Sequence, residues 1–367
     1  MNLYHLIQIN LRWCRECEEV PTLGQLPCLR VLEIYYMGKV RCIGSEFYFY
    51  SDGSYRNSTT LFPALRILKL GWMCSLEEWK DAKELTTADE VFPCLEELTI
   101  RGCPNLRDLP DSLCTCVSLQ KLVVYNCYEL RSLPGVPSVI RHLEIIECGI
   151  DELPSGLQFC ASLQYLVIRR CSNLKSIPDL EKVFHSLINL KLSNNSPYPR
   201  LILSRREGRL KTLVIGEFIE DLNAFSILRY PSFQYSYASL KKLLLHGSPT
   251  LNSLPNKIQL FTALEEPWIN KFNRMKALPN WLGNLSSLQK LSLRYCNNLM
   301  YLPMFHLTKS KHLHIADCSN LEKRFAEGSG EEWFQISHIP NIKINGKYIQ
   351  GKDSEDSKYF DIFDDSD

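Results

Sequence analysis

The phrase L-x-x-L-x-(L/I/V)-x-x-(C/N) recurs along nearly the whole chain, and this repetition constrains the fold more than any other feature. The plainest copies are Leu95-Leu98-Ile100-Cys103, Leu119-Leu122-Val124-Cys127, Ile140-Leu143-Ile145-Cys148, Leu163-Leu166-Ile168-Cys171 and Leu288-Leu291-Leu293-Cys296. Fainter copies begin at Leu6, Leu29, Leu65, Leu187, Leu210, Leu240, Leu264, Ser310 and Ile339, which makes fourteen. Successive starts are 23, 36, 30, 24, 21, 23, 24, 23, 30, 24, 24, 22 and 29 residues apart. Positions 4 and 6 of each phrase fall on one side of a short strand, because side chains alternate along it. One copy cannot bury them alone. Stacked copies can, and each buried side chain then contributes roughly 1.5 to 3 kcal/mol. Position 9 ends the strand, where Asn or Cys can hydrogen-bond buried backbone groups. That role accounts for Cys14, Cys103, Cys127, Cys148, Cys171, Cys296 and Cys318.

A second phrase follows the first in Leu106-Arg107-Asp108-Leu109-Pro110, Leu130-Arg131-Ser132-Leu133-Pro134, Leu174-Lys175-Ser176-Ile177-Pro178, Leu251-Asn252-Ser253-Leu254-Pro255 and Leu299-Met300-Tyr301-Leu302-Pro303. Its proline sets an extended return arm that needs no ladder hydrogen bond. Together the two phrases predict an α/β leucine-rich-repeat solenoid, a horseshoe with a parallel concave β-sheet and a convex side of loop and short helix. Residues 1–351 are assigned to this solenoid. Inserts at 45–62 and 80–92 are expected to project as loops, the first containing Ser51-Asp52-Gly53-Ser54. Pro267 stands at position 4 of its copy and lacks an N–H, so a bend or bulge is expected there. Residues 352–367 carry Asp353, Glu355, Asp356, Asp361, Asp364, Asp365 and Asp367 against Lys352 and Lys358, and are read as an acidic disordered tail.

Charge narrows the partners. With 42 Lys and Arg against 41 Asp and Glu, the chain lacks the basic excess that a nucleic acid or an anionic membrane surface requires. No apolar stretch reaches the roughly 20 residues of a membrane span, and the start has no basic region leading into an apolar run. The fifteen cysteines are therefore read as reduced thiols. No phosphate-binding loop is present, and Gly328-Ser329-Gly330 does not sit between a strand and a helix. Cys14-x-x-Cys17 lacks a matching second half for a zinc site. His142, His246, His312 and His314 fall on outward strand positions, where a solvated imidazole is the default. The chain is read as a non-enzyme with no cofactor, no metal and no small-molecule substrate.

Positions 2, 3, 5, 7 and 8 face outward, and equivalent positions in successive copies form columns. Column 8 begins Trp13, Tyr36, Trp72, with Tyr35 beside it at position 7. Large rings without a core role suit a protein interface; the alternative is that the long inserts fold back over them. Arg101, Tyr125, Arg169 and Arg170 occupy columns 7 and 8 further along, followed by Arg294 and Tyr295. These could read an acidic partner, or form an ordinary solvated face.

At Leu23-Gly24-Gln25-Leu26-Pro27-Cys28-Leu29-Arg30-Val31-Leu32, Val40-Arg41-Cys42-Ile43-Gly44-Ser45-Glu46-Phe47-Tyr48, Phe62-Pro63-Ala64-Leu65, Leu76-Glu77-Glu78-Trp79 and Glu332-Trp333-Phe334-Gln335-Ile336, the chain resembles the C-terminal repeat region of plant coiled-coil nucleotide-binding leucine-rich-repeat disease resistance proteins. The resemblance covers the chain except its acidic tail. It implies a cytoplasmic or nuclear sensor that binds a pathogen effector or a guarded host protein and restrains a nucleotide-dependent switch. The nucleotide-binding domain of such a receptor would lie upstream, outside this chain. Met1 stands five residues before the first phrase with no polar cap, which suggests a piece of a larger receptor or a truncated gene model. The rival reading is a free-standing cytosolic repeat adaptor, of the F-box type or a defence decoy or regulator.

Overall fold

The computed structural model describes residues 3–49, 60–82, 90–176, 186–193, 210–219, 236–247, 251–303, 309–326 and 333–351, with a few isolated positions between them. The chain divides into two compact units, Met1–Leu187 and Ile188–Asp367. In the first, seven strands pair in parallel and in chain order: β1 (Gln8–Arg12), β2 (Val31–Tyr35), β3 (Ile67–Gly71), β4 (Glu97–Arg101), β5 (Lys121–Cys127), β6 (His142–Cys148) and β7 (Tyr165–Arg169). In the second, β8 (Asn189–Ser193), β9 (Thr212–Ile215), β10 (Lys242–His246), β11 (Glu266–Asn270), β12 (Lys290–Arg294), β13 (His312–Ala316) and β14 (Asn341–Ile344) do the same, and β15 (Lys347–Gln350) closes antiparallel on β14. This is the leucine-rich-repeat solenoid.

Register follows the phrase. Position 4 pairs with position 4, as in Leu68↔Leu98, Leu98↔Leu122 and Leu143↔Leu166, and position 6 with position 6, as in Leu70↔Ile100 and Ile145↔Ile168. A slip by one residue would turn every one of these side chains outward, so burial of the Leu columns fixes the register. Leu32, Leu68, Leu98, Leu143 and Leu166 are fully buried. The first repeat differs: Leu6 and Ile7 are exposed, and Ile9 and Leu11 only half-buried. Position 9 behaves as its chemistry requires. Cys148 Sγ lies 3.3 Å from the Ile146 carbonyl and 3.7 Å from that of Val124, and Cys171 and Cys296 repeat the pattern. Burial pushes the Cys171 thiol up to about 11, which keeps it protonated and inert.

Three expectations are corrected. The inserts do not simply project: Ser45–Tyr48 forms a helical turn that drives Phe47 and Tyr48 into the core, and Phe49 follows them. The cause is aromatic packing, with ring centroids 4.8 Å apart for Phe47–Phe62 and 4.9 Å for Phe62–Phe92, and the Trp79 indole N–H donating to the Tyr48 hydroxyl at 2.9 Å. Residues 50–59 and 83–89 of the inserts, and the acidic tail, lie outside the described residues. Pro267 produces no bulge. It keeps full register with Leu243 on one side, and on the other the ladder to β12 starts only at Trp268, as a missing N–H dictates. His246 and His314 are buried, at 1% and 2% exposure, and His314 Nδ1 lies 3.5 Å from the Ser292 hydroxyl of the neighbouring strand.

Two outcomes follow. Leu122→Ala removes a buried column residue from β5 and is expected to cost about 2 to 5 kcal/mol, read from urea unfolding. Burial, with the charge of Lys271 adding to it, lowers His246 from 6.5 to about 4. The unfolded state then binds more protons between these values, so stability is full above about 6.5 and falls as pH drops toward 4, by up to about 3 kcal/mol. His246→Gln is expected to flatten that part of the pH profile; an unchanged slope would assign it to other groups.

Candidate protein-binding face

Column 8 has a backbone conformation of its own. Trp13, Tyr36 and Trp72 have φ of 64°, 62° and 56°, and Asn126, Glu147, Arg170, Lys271, Tyr295 and Asp317 share it. In the first three, the position-8 N–H reaches sideways to the position-7 carbonyl of the next repeat: Trp13 to Tyr35 at 3.1 Å, Tyr36 to Gly71 at 3.0 Å, Trp72 to Arg101 at 2.7 Å. The chain therefore leaves the strand at position 8, one residue before the cysteine. Left-handed backbone costs an L-residue roughly 1 to 2 kcal/mol, and a bulky ring is an unusual occupant. Three successive aromatics here carry a cost that glycine or asparagine would reduce.

The ladder brings these rings together. Trp13 and Tyr36 stack with centroids 3.9 Å apart and planes 1° from parallel, and Tyr36 and Trp72 continue the stack at 6.2 Å and 4°. Tyr35 lies 6.4 Å from Tyr36. Trp13 is 55% exposed and Trp72 38%, so the described parts of the inserts do not cover them. Two glycines make room. A Cβ at Gly71 would stand 2.6 Å from the Tyr35 ring, and one at Gly102 would stand 2.6 Å from Trp72.

Cations frame the stack. The Arg15 guanidinium lies 5.1 Å from the Trp13 ring centre, and that of Arg12 lies 5.1 Å from Tyr35. Glu33 accepts from Asn10 at 3.0 Å, Arg12 at 3.2 Å and Lys69 at 3.1 Å. Burial raises its carboxyl, but Lys69 and Arg12 outweigh burial and hold it below the ordinary carboxylate range. Arg12, Arg15, Lys69, Gly71 and Gly102 were not singled out from the sequence. The same column count finds Arg12, Lys69, Gly71 and Gly102, the last marking the left-handed position, whereas Arg15 follows the end of its phrase and lies outside the columns.

The arginine columns are a different surface. Arg101 lies 5.4 Å from the Tyr125 ring centre, Arg169 is half-buried, and Arg170 is paired with Glu147. Its charge is thus already answered. Arg294, in the second unit, is buried at 8% exposure, while its neighbour Tyr295 is exposed with the Lys271 ammonium 5.9 Å from its ring. Among the described residues no cluster of three metal-ligating side chains exists, and no helix is long and apolar enough to cross a membrane.

Gly102→Ala is expected to destabilise by about 1 to 2 kcal/mol from its left-handed backbone, plus a steric cost from displacing Trp72. In the Trp72→Ala background the steric part should vanish and the backbone part remain. Equal costs in both backgrounds, measured by urea unfolding, would show that Gly102 does not seat the ring.

A scan against protein-family models finds no match. A disease resistance RPP13-like protein of Arabidopsis thaliana is 37% identical over 124 residues, 33% of this chain and 11% of that protein. A late blight resistance protein homolog of Solanum demissum is 35% identical over 108 residues, 29% of this chain and 7% of the relative. The chain thus spans about a tenth of the length of the curated relatives it matches. Among solved structures, TLR13 in complex with ssRNA13 matches with a TM-score of 0.50 at 16% identity, covering 86% of this chain and 48% of that one. A leucine-rich-repeat protein of Leptospira interrogans, LIC12759, covers 93% and 95% of the two chains at 14% identity with a TM-score of 0.36. The relatives of this chain over its leucine-rich repeats are plant disease resistance proteins.

Proposed function

We propose that this chain is the protein-recognition module of a plant immune receptor. It binds a pathogen effector or a guarded host protein through the aromatic stack of its first unit, and restrains a nucleotide-dependent switch carried on a domain outside this chain. The observation that carries the reading is the Trp13–Tyr36–Trp72 stack, in which Trp13 and Trp72 are exposed and Tyr36 is half-buried between them. Left-handed backbone recurs at position 8 along the array and so belongs to the repeat; what is particular to these three successive copies is a large ring there, without a core role.

The stack also favours a class of partner. Tyr36 has a ring on each side, Trp13 has Arg15 on its outer face, and Trp72 lies against Gly102. Tyr36 is thus flanked on both sides, and the ring area left exposed on Trp13 and Trp72 suits the apolar side chains of a protein surface. The similarity to disease resistance proteins supports the immune role.

Replacing Trp13, Tyr36 and Trp72 together with Ala is expected to abolish effector-dependent recognition in the full-length receptor, with far-UV circular dichroism unchanged. Recognition that survives the triple substitution would discard this face as the site.

A further inference from the structure

Carboxylates answer some of the cations around the ring stack and leave others. Arg12 and Lys69 share Glu33, at 3.2 and 3.1 Å. Glu97 lies 3.0 Å from Lys121, and Glu16 lies 2.6 Å from Lys39. Arg15 and Arg101 are left over: among the described residues neither side chain has an ion pair or a hydrogen bond, and each lies against a ring, Arg15 5.1 Å from the centre of Trp13 and Arg101 5.4 Å from that of Tyr125. Arg101 is half-exposed, with its Nε buried and without a hydrogen-bond partner. These two guanidiniums bracket the stack. Arg15 lies on Trp13 at one end, and at the other the Arg101 carbonyl accepts from the Trp72 N–H at 2.7 Å, so that Arg101 opens the arginine columns and borders the rings as well.

We propose that the stack recognises an acidic protein segment, in which an apolar side chain lies against Trp13, Tyr36 and Trp72 while carboxylates on either side of it pair with Arg15 and Arg101. The proposal rests on the stack as the recognition face and adds the chemistry of what it binds. Charge complementarity carries it. Arg12, Arg15, Lys69 and Arg101 surround the rings, with Glu33 as their only ion-pair partner among the described residues. A ring attracts a guanidinium through its face but leaves the planar fork of N–H donors without a protein acceptor, and that fork takes a carboxylate through two parallel bonds. The rings also hold both guanidiniums in place, so pairing with a carboxylate costs little side-chain freedom. A nucleic acid fits less well, because a chain with 42 Lys and Arg against 41 Asp and Glu offers little general attraction for a phosphate backbone.

A phage-displayed library of random linear peptides, selected on the full chain after removal of binders to the Trp13→Ala, Tyr36→Ala, Trp72→Ala variant, tests this. The expected survivors carry Asp or Glu on both sides of Leu, Ile, Phe or Trp. As synthetic peptides they should bind Arg101→Gln and Arg15→Gln about tenfold more weakly than the unaltered chain. Selection on Arg101→Glu should replace one acid by Lys or Arg. Arg15 is exposed, so its substitution keeps the test valid even where Arg101→Gln disturbs the neighbouring turn. Ring-dependent peptides without acids, or peptides that bind both Gln variants as tightly as the unaltered chain, would overturn the proposal and leave the stack as a recognition face. A library without ring-dependent binders would count against both. Displacement of the peptides by oligouridylate, itself weakened by Arg101→Gln, would assign the cations to phosphate and likewise overturn it.

Discussion

The parallel ladder is the constraint on which everything else depends. It places position 4 beside position 4 and position 6 beside position 6 at strand spacing, so that each Leu is buried by its own equivalents in the neighbouring repeats. The same spacing acts on the outward side, where it sets like beside like in columns without selecting what the column contains. Stacked rings at position 8 follow from this: aromatics in successive repeats lie within stacking distance because the strands do. The sideways hydrogen bond from each of these position-8 N–H groups to the next repeat holds the left-handed turn, and so holds each ring's root.

The periodic part of this fold was legible in the sequence, because period two and a fixed phrase length both leave marks on residue type. Leu98, Leu122 and Leu143 declare themselves by spacing, and so does the column that joins Trp13, Tyr36 and Trp72. The left-handed backbone at position 8 was harder to read. Its occupants are mostly residues that avoid it, and among the described ones Gly102, Asn126, Asp317 and Gly346 have the chemistry that signals a positive φ. The inserts misled for a different reason. Their polar middle, Ser51 to Thr60, reads as loop, yet Phe47 and Tyr48 at one end answer to Phe62 and Trp79, which in turn pack on Phe92, contacts that no local pattern encodes. His246 and His314 were misplaced because an outward position is solvated only if nothing lies over it.

The two units use the same ladder to different ends. The first sets stacked rings and arginines in its outward columns, whereas the second holds His246, His314, Arg294 and Lys343 there, each 8% exposed or less. A recognition surface is best built where the scaffold is rigid and the outward side chains are held in place. The first unit meets that description through Gly71 and Gly102, which let rings lie flat against the backbone of the next repeat.

Hydroxyl-radical footprinting of the full-length receptor, free and engaged with the effector that activates it, tests the central claim most directly. If the stack is the recognition face, oxidation of Trp13, Tyr36 and Trp72 falls together on engagement while Tyr295 and Tyr301 stay as reactive as before. Unchanged oxidation of the three rings, with protection appearing elsewhere on the repeats, would contradict it.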